Sequence, residues 1–185
     1  IYLIVNLNNK HKELVDKLNV KKVFHFEIIR KVNVFKDIMC LIKVIDFFRK
    51  NKFHAIHSVS PKAGLIAMLG GYISGIKIRI HTFTGQVWVT KKGVIRKTLK
   101  FVDKLISKLS TLVLTDGKSQ LDFLIKNKIV DEKAKVLGKG SISGVSLKKF
   151  NADDKVREKL RAKFNINQNQ WVFMYLGRLK KDKGV

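Results

Sequence analysis

The sequence is poor in cysteine, proline and acidic residues, and it has no long apolar run. Cys40 is its only cysteine, so no disulfide can form within the chain, and a secreted module held together by disulfides is excluded. The longest nearly apolar stretch, 63–75, is too short and too rich in glycine to cross a bilayer, which needs roughly 20 residues. These shortages predict a soluble or peripheral protein.

The shortage of acids leaves a large positive charge. Asp and Glu number 14 against 39 Lys and Arg, which gives a formal net charge of +25 and an isoelectric point near 10.3. Such a charge first suggests a polyanionic partner. The basic residues are mostly lysines scattered from Lys10 to Lys183, however, as a compositional bias on solvated faces would also leave them. Both interpretations remain open at this point.

The rest of the composition is that of a globular chain. Hydrophobic residues make up 45% of the 185 residues, which excludes a disordered chain and allows one domain, or one domain and part of another. Short apolar runs alternate with helical patterns. The predicted strands are 1–6, 23–29, 54–59, 77–83, 111–115 and 135–137, and the predicted helices are 10–18, 35–50, 61–74, 94–109 and 118–126. This alternation predicts an α/β fold with a parallel sheet and helices on both faces.

A glycine–serine connection between Gly138 and Gly144 is the best candidate for a domain boundary. A charged helix starting at Asp154 and an apolar run, Trp171–Leu176, follow it and predict the start of a second α/β domain. We therefore assign residues 1–150 to a first domain and 151–185 to a second. The chain opens directly on an apolar run and closes in a predicted loop, so we expect it to be truncated at both ends.

Ligands of open parallel sheets bind beyond the carboxyl ends of the strands, and two predicted loops there contain suitable residues. In the loop 58–64, Lys62 and the amide groups of a helix start would hold an anion, although an ordinary capped turn explains the same residues. The loop 81–88 combines hydroxyls, an amide and Trp88, the apolar platform and polar edges of a carbohydrate site. The alternative interpretation of this loop is structural. In it, His81 is a hydrogen-bonded residue at a strand end and Trp88 is a packing residue.

Two further loops follow later strands. One is the connection Gly140–Gly144, and the other is 177–184, where two cations lie among glycines in a manner suited to a diphosphate.

The sequence lacks the motifs of several other protein classes. The five histidines have no cysteine or carboxylate partners at metal-ligand spacing, which argues against a metal site. The absence of Gly-x-Gly-x-x-Gly after a strand and of Gly-x-Ser-x-Gly argues against a dinucleotide oxidoreductase and a hydrolase.

Four segments occur in an order found in one enzyme family. They are Ser-Pro-Lys-Ala-Gly at 60–64, Arg-Ile-His-Thr-Phe-Thr-Gly-Gln-Val-Trp at 79–88, Gly-Ser-(x)2-Gly-Val at 140–145, and Leu-Gly-Arg-Leu-(x)3-Lys-Gly at 176–184. Together they resemble the family 4 glycosyltransferases, in particular the bacterial enzymes that build capsule, exopolysaccharide and O-antigen units. The resemblance extends over essentially the whole chain.

The resemblance implies a GT-B fold, in which two Rossmann-like domains enclose the active site. Residues 1–150 would form the acceptor-binding domain and 151–185 the beginning of the donor domain. The implied reaction is the transfer of a hexosyl group, with retention of configuration, from a nucleotide-diphosphate sugar to a glycan or polyprenyl-linked acceptor. Neither a metal nor another cofactor is expected, and the implied location is the cytoplasm, at the inner face of the bacterial cell membrane.

The resemblance also implies roles for individual residues. Arg178 and Lys183, beside Gly177, would bind the donor diphosphate and offset the charge on the leaving nucleotide. The residues expected to line the cleft near sugar and acceptor are Lys62, His81, Thr82, Thr84, Gly85, Gln86 and Trp88, and those expected at the interdomain link are Gly140, Ser141, Ser143 and Gly144. No catalytic residue is assigned.

The chain departs from the family pattern in several places. Thr84 stands where many relatives have a second histidine, and Ser143-Gly144-Val145-Ser146 stands where Asn-Gly-x-Asp is frequent. The family's glycine-rich loop should precede Ile1, and its paired glutamates should follow Val185. We therefore expect the 185-residue chain, by itself, not to catalyse transfer.

The predicted helix 94–109 separates basic from apolar residues. Lys97, Lys100, Lys104 and Lys108 fall on one side, opposite a side formed by Ile95, Leu99, Val102, Leu105, Ile106 and Leu109. A basic amphipathic helix can lie on an anionic lipid surface, but a helix docked on a sheet with a solvated lysine face has the same pattern. Because polyprenyl-linked acceptors are membrane-bound, the resemblance favours the lipid surface as a partner.

Two other functions compete with a glycosyltransferase. A sugar-nucleotide epimerase shares the two-domain architecture, and the pair Arg178 and Lys183 does not exclude it. A nucleic-acid-binding protein would account for the isoelectric point, but it would need aromatic residues interleaved with basic residues on an exposed face. Most of the 12 Phe fall instead in apolar strand and helix patterns, so no nucleic acid is expected as a partner.

Overall fold

A computed structural model describes residues 1–6, 15, 17–28, 33–141, 144–177 and 179. The chain divides into two compact units, 1–142 and 143–185, and the division falls inside the glycine–serine connection. The roles assigned to the two domains stay predictions. The helix predicted over 10–18 lies largely outside the described residues.

Strands and helices alternate through the first unit. Its described elements are β1 (Tyr2–Val5), β2 (Lys22–His25), α1 (Val34–Asn51), β3 (Ala55–Ser58), α2 (Pro61–Ile73), β4 (Ile78–Phe83), a 3-10 turn (Val87–Thr90), α3 (Gly93–Leu109), β5 (Leu112–Thr115), α4 (Lys118–Lys126) and β6 (Lys135–Val136). One sheet pairs β1 with β2, and the other runs β3-β4-β5-β6. Every described strand pair is parallel. The predicted α/β class with parallel sheets flanked by helices is confirmed.

The helix starts follow from local chemistry. Asn33 caps α1, since its Oδ1 accepts a hydrogen bond from the Lys36 amide at 3.0 Å, and Asp37 Oδ2 accepts one from the Asn33 amide at 3.3 Å. This reciprocal pair satisfies two amide groups that a helix start otherwise leaves open. Pro61 occupies the first turn of α2 after Ser60, where its missing N–H costs nothing.

Helix α2 is the central helix of the first unit. It packs against α1 on one side, against α3 on the other and against β3 and β4 beneath it. Two glycines permit these close contacts. A Cβ on Gly71 would lie 2.3 Å from Ile56 Cδ1 on β3, and one on Gly70 would lie 3.1 Å from Val44 Cγ1 on α1. The apolar residues that surround α2 make it a buried helix, and only its last turn is exposed.

Two hydrophobic clusters hold the helices on the sheets. The cluster beside β1 and β2 contains Cys40, Val44, Phe48, Ile66 and Ile76, with Phe47 and Phe53 packed against it in edge and tilted ring contacts. The cluster beneath α2, α3 and α4 contains Met68, Phe83, Trp88, Ile106, Val113 and Leu124. On α1 the buried residues are Cys40, Val44 and Phe48, whereas Ile38 and Ile42, which three- and four-residue apolar spacing places on the packed side, are 51% and 54% exposed. The apolar side predicted for α3 packs through Leu99, Val102, Ile106 and Leu109.

In the second unit, the charged helix predicted after the boundary is present. It is α5 (Asp154–Lys163), and Asp153 caps it by accepting a hydrogen bond from the Val156 amide at 3.1 Å. The buried Arg161 guanidinium donates to the carbonyls of Asn167 and Gln170 and so fixes the turn that follows.

The strand predicted at Trp171–Leu176 is not formed, and Trp171, Phe173 and Leu176 are each at least 90% exposed. The prediction was wrong about this segment of the structure. A strand exists only through hydrogen bonds to a neighbour, and none of the described residues of this unit pairs with 171–176.

Candidate functional site

The carboxyl ends of β3, β4 and β5 form one edge of the four-stranded sheet. Ser58, the last residue of β3, lies opposite His81 of β4, and Phe83 at the end of β4 lies opposite Thr115 at the end of β5. Ser58, His81, Thr82 and Thr115 are all buried polar residues. Ligands of open parallel sheets bind beyond this carboxyl edge, so these buried polar residues lie beneath the expected ligand position.

His81 lies at the centre of this edge. Its ring is 1% exposed, its Nδ1 lies 2.8 Å from Ser58 Oγ, and its edge contacts the Phe83 ring. Burial first, and the neighbouring His57 second, lower the pKa of His81 to about 4, so the imidazole is neutral near pH 7. Nε2 has no hydrogen-bond partner among the described residues, which leaves one polar position of the buried ring unused.

Gly64 explains how α2 comes so close to this ring. A Cβ at this position would lie 2.5 Å from His81 Cε1 and 2.9 Å from Nδ1, both closer than real Cβ contacts. The Ser-Pro-Lys-Ala-Gly segment and the His-Thr-Phe-Thr-Gly segment, which the sequence analysis singled out separately, therefore meet here. Because Gly64 has no side chain, the His81 ring occupies the space beside it.

The residues after His81 differ in exposure. Thr82 is buried, and its Oγ1 lies 2.8 Å from Nε2 of His57, a partner that the sequence analysis did not identify. Thr84 and Gly85 are exposed, so their polar groups are accessible to a ligand. Gln86 has a buried Nε2 with no partner among the described residues. The predicted cleft residues thus divide into a buried layer, His81 and Thr82, and an exposed rim.

Lys62 has an acidic partner in this structure. Its Nζ lies 2.7 Å from Oδ1 of Asp37 on α1, and both side chains are largely shielded from solvent. A close carboxylate offsets the ammonium charge, so an anion binding at Lys62 would compete with Asp37. The pair ties α1 to the first turn of α2.

The link residues described in the first unit approach the same sheet edge. The Ser141 amide donates a hydrogen bond of 2.5 Å to the carbonyl of Asp116, directly after β5. Gly140 has φ +93°, and a Cβ there would lie 3.1 Å from that carbonyl, so a glycine suits the position. Asp116 was missed by the sequence analysis, since a single acid after a strand gives no distinctive signal.

Several predicted site residues cannot be placed at this edge. Ser143, Arg178 and Lys183 lie outside the described residues. Gly144 and Gly177 belong to the second unit, where both are exposed.

Trp88 belongs to the core and not to an exposed platform. It is completely buried, its ring stacks on Phe123 at 5.5 Å between centroids, and its Nε1 donates to Asp103 Oδ2 at 2.8 Å. A sugar platform needs an exposed ring face, so the packing interpretation describes this residue. The surrounding apolar cluster covers the indole because the 3-10 turn at 87–90 points it beneath α3.

Asp103 is a buried carboxyl that the sequence analysis missed. It is 4% exposed, and desolvation raises its pKa to about 6, while the hydrogen bond from Trp88 works in the opposite direction. A signal was available. Asp103 falls four residues after Leu99 and three before Ile106, on the apolar stripe of α3, where an acid needs a buried partner.

The two sides predicted for α3 differ in part from those in the structure, where Ile95, predicted on the apolar side, is 63% exposed. Lys97, Lys104 and Lys108 are exposed, but Lys100 is partly buried, with Nζ 5.0 Å from the Trp88 ring centroid and 3.0 Å from Asn127 Oδ1. Phe101, four residues after Lys97, is 66% exposed among these lysines, and Val94 at the start of the helix is 78% exposed. We call the five residues Val94, Lys97, Phe101, Lys104 and Lys108 the α3 outer face.

Of the helices in the described ranges, none is long and apolar enough to span a membrane. Across the part of the chain that the structure describes, no three His, Cys, Asp or Glu side chains group together as metal ligands would.

Comparison with known proteins gives two curated relatives. A capsular polysaccharide biosynthesis glycosyltransferase, CapM of Staphylococcus aureus, is 34% identical over 158 residues, which cover 84% of this chain and 41% of the relative. The UDP-Gal:alpha-D-GlcNAc-diphosphoundecaprenol alpha-1,3-galactosyltransferase of Escherichia coli is 26% identical over 171 residues, 89% of this chain and 42% of that enzyme. The chain thus spans about two fifths of the length of either relative, and no family model matches it.

These relatives confirm the resemblance to glycosyltransferases of bacterial surface-polysaccharide synthesis. The fold agrees with it, since both sheets are parallel and flanked by helices. Membership of family 4 in particular stays a prediction, as do the roles of the individual site residues.

Replacing Gly64 with alanine tests the contact between α2 and the His81 ring. The added methyl group must displace a ring that Ser58 and Phe83 hold in place, so we expect Gly64→Ala to lower the free energy of unfolding by about 1–3 kcal/mol. Urea unfolding followed by tryptophan fluorescence measures it. Gly85→Ala is the matched control, because no atom lies within 4 Å of its Cβ position, and its effect should stay within about 0.5 kcal/mol. Equal effects of the two substitutions would contradict the contact.

The raised pKa of Asp103 predicts a pH dependence of stability. Because the folded state binds the proton up to about pH 6 and the unfolded state releases it near the ordinary value of about 4, wild-type stability decreases as pH rises between these values. Asp103→Asn keeps an acceptor for Trp88 but cannot ionise. We expect the stability of this variant relative to wild type to increase by about 2–3 kcal/mol from pH 4 to pH 7.

Urea unfolding at several pH values measures this difference, and the titration of His81 cancels because both proteins share it. Asp46→Asn, at an exposed ion pair with Lys50, is the control and should show no comparable trend. A difference between Asp103→Asn and wild type that does not vary with pH would contradict the assignment.

Proposed function

We propose that this chain is part of a glycosyltransferase that moves a hexosyl group from a nucleotide-diphosphate sugar to a glycan or lipid-linked acceptor in surface-polysaccharide synthesis. The observation that carries the proposal is the 34% identity to CapM over 84% of the chain, together with the parallel α/β fold. The same observations favour a glycosyltransferase over the epimerase and nucleic-acid alternatives. The first unit would bind the acceptor, and the second would begin the donor domain.

The carboxyl edge of the four-stranded sheet is the proposed acceptor side of the site. The buried side chains of His81 and Thr82 bond side chains of the neighbouring strand β3, and the exposed Thr84 and Gly85 offer a hydroxyl and accessible peptide groups for sugar hydroxyls. Carbohydrate recognition needs such fixed polar groups, because each unpaired hydroxyl buried on binding reduces affinity. Gly140 and Ser141, held at Asp116, would bring the interdomain link to the same edge.

The donor diphosphate is proposed to bind Arg178 and Lys183. Cleavage of the donor leaves negative charge on the nucleotide diphosphate, and two cations at this position would stabilise that charge as it develops. A guanidinium can bind two phosphate oxygens at once, which suits Arg178 to the role. Metal independence and retention of configuration are part of the proposal through the family resemblance.

The α3 outer face is the proposed membrane contact. Three exposed lysines surround an exposed phenylalanine, so the face offers both charge attraction to anionic headgroups and an apolar side chain for the interface. A lipid-linked acceptor is confined to the membrane, and a peripheral enzyme that docks there shortens the search for it. Lys100 supports this face from beneath, by packing on Trp88, and is not proposed to contact lipid.

Release of nucleoside diphosphate tests the proposed reaction. UDP-, GDP- and dTDP-sugars are offered with polyprenyl-diphosphate-linked saccharides to this chain and to a protein extended to the length of the relatives. We expect sugar-dependent release from the extended protein and none from the 185-residue chain. Arg178→Ala in the extended protein should reduce the rate at least 100-fold, because a transition-state charge loses its partner. Release without any sugar transfer to lipid-linked acceptor would contradict the assignment.

Vesicle sedimentation tests the membrane contact. The chain should sediment with vesicles rich in phosphatidylglycerol, not with pure phosphatidylcholine, and salt should release it. Phe101→Ser should weaken binding roughly 5-fold or more, since an aromatic anchor is lost. Ile42→Ser is the matched control, because Ile42 is also exposed, at 54%, but lies on α1. Equal loss in both variants, or equal binding to neutral vesicles, would contradict the proposed face.

A further inference from the structure

A second polar cleft lies beside the start of β5 and reaches Val113, the register partner of His81. It has a volume of about 620 Å³ and is enclosed by the carboxyl-terminal half of α3, the start of β5 and the segment between α4 and β6. Four lysines line it, Lys104, Lys108, Lys128 and Lys133, against a single acid, Asp131. A cleft lined by one sign of charge concentrates the opposite sign from solution.

Among the described residues, none of these four lysines forms an ion pair. Asp131 Oδ1 accepts a hydrogen bond from the Lys133 amide at 3.0 Å, so its one negative charge stands against the four lysines of the cleft. Helix carboxyl ends account for two of the cations. Lys108 lies in the last turn of α3 and Lys128 just beyond α4, where positive charge complements the helix dipole. Lys104, in mid-helix, and Lys133, in a turn, have no such compensation.

The cleft walls combine hydroxyl and apolar groups. The Ser107 side chain has no hydrogen-bond partner among the described residues, whereas the Ser110 hydroxyl already donates to the Ile106 carbonyl at 2.7 Å. Leu112, Ile125 and Ile129 form part of the apolar wall. Cations and one unused hydroxyl suit a phosphate oxygen, and the apolar wall suits the carbon chain attached to it.

We propose that this cleft binds the phosphate of an anionic lipid, with Lys128 and Lys133 as the cations that the α3 outer face does not share. The proposal deepens the membrane contact of the proposed function, because Lys104 and Lys108 belong to both surfaces. Phe101 lies one turn before Lys104 on α3, so a lipid headgroup in the cleft would leave its chains beside the exposed ring. The lysines of the α3 outer face and of the cleft would thus form a binding site for a single lipid headgroup.

Calorimetric titration with dihexanoyl phosphatidylglycerol, below its micelle concentration, tests the cleft without a membrane. The wild-type chain should bind it and should bind neither dihexanoyl phosphatidylcholine nor inorganic phosphate with similar affinity. Lys128→Gln/Lys133→Gln should weaken binding by about 30-fold, since a lysine near an anionic lipid contributes roughly a 5-fold effect. Lys43→Gln/Lys52→Gln removes the same charge at exposed positions of α1 and its carboxyl end and should leave the affinity unchanged.

The outcomes separate the cleft from the membrane contact. Phe101→Ser should weaken vesicle sedimentation and reduce soluble-lipid binding less than Lys128→Gln/Lys133→Gln does, because the headgroup contacts remain. Vesicle binding by a chain that does not bind the soluble lipid would overturn the cleft and leave the α3 outer face standing. Equal weakening by both lysine pairs, or inorganic phosphate binding as tightly as the lipid, would also overturn it. Thermal unfolding of each variant establishes that the substitutions leave the fold intact.

Discussion

The close contact between α2 and β4 is the constraint on which the first unit depends. Gly64 brings the helix against the His81 ring, Gly71 brings it against Ile56 of β3, and Gly70 brings it against Val44 of α1. A helix that approaches this closely excludes water from Ser58 and His81, so these two polar groups must satisfy one another. The depressed pKa of His81 follows from the same exclusion. Packing and the electrostatics of the sheet edge therefore have one origin.

Helix α3 has two chemically different sides. Its inner side holds the buried Asp103 against Trp88, and burial raises the pKa of that acid to about 6. Its outer side leaves Phe101 and three lysines in solvent. The inner contact orients the outer face, because a helix fixed at Trp88 cannot rotate to bury Phe101. A buried polar pair thus decides which residues of α3 face the solvent.

Much of the fold was predictable, because period and capping are local properties. The alternation of short apolar runs with helical patterns predicted the α/β class and most element positions. The candidate site was predictable only in part. The meeting of Ser58, Gly64 and His81 could be expected from parallel pairing, but Trp88 was a misleading signal, since an aromatic residue in a polar loop suits a core as well as a sugar. Trp171–Leu176 was misleading in the same way, because strand-like composition does not supply a neighbouring strand.

By itself, the sequence determined the class of fold, the order of the elements and the similarity to glycosyltransferases of surface-polysaccharide synthesis. These depend on the periodicity of apolar residues and on short motifs, which are fixed along the chain. Only the tertiary structure decided the surroundings of individual side chains. Lys62 pairs with Asp37, Lys100 packs on Trp88, and Lys104 and Lys133 line the same cleft. Such partners are far apart in sequence, and whether a charge faces solvent, an acid or an aromatic ring is settled by burial, which exists only once the helices pack on the sheet.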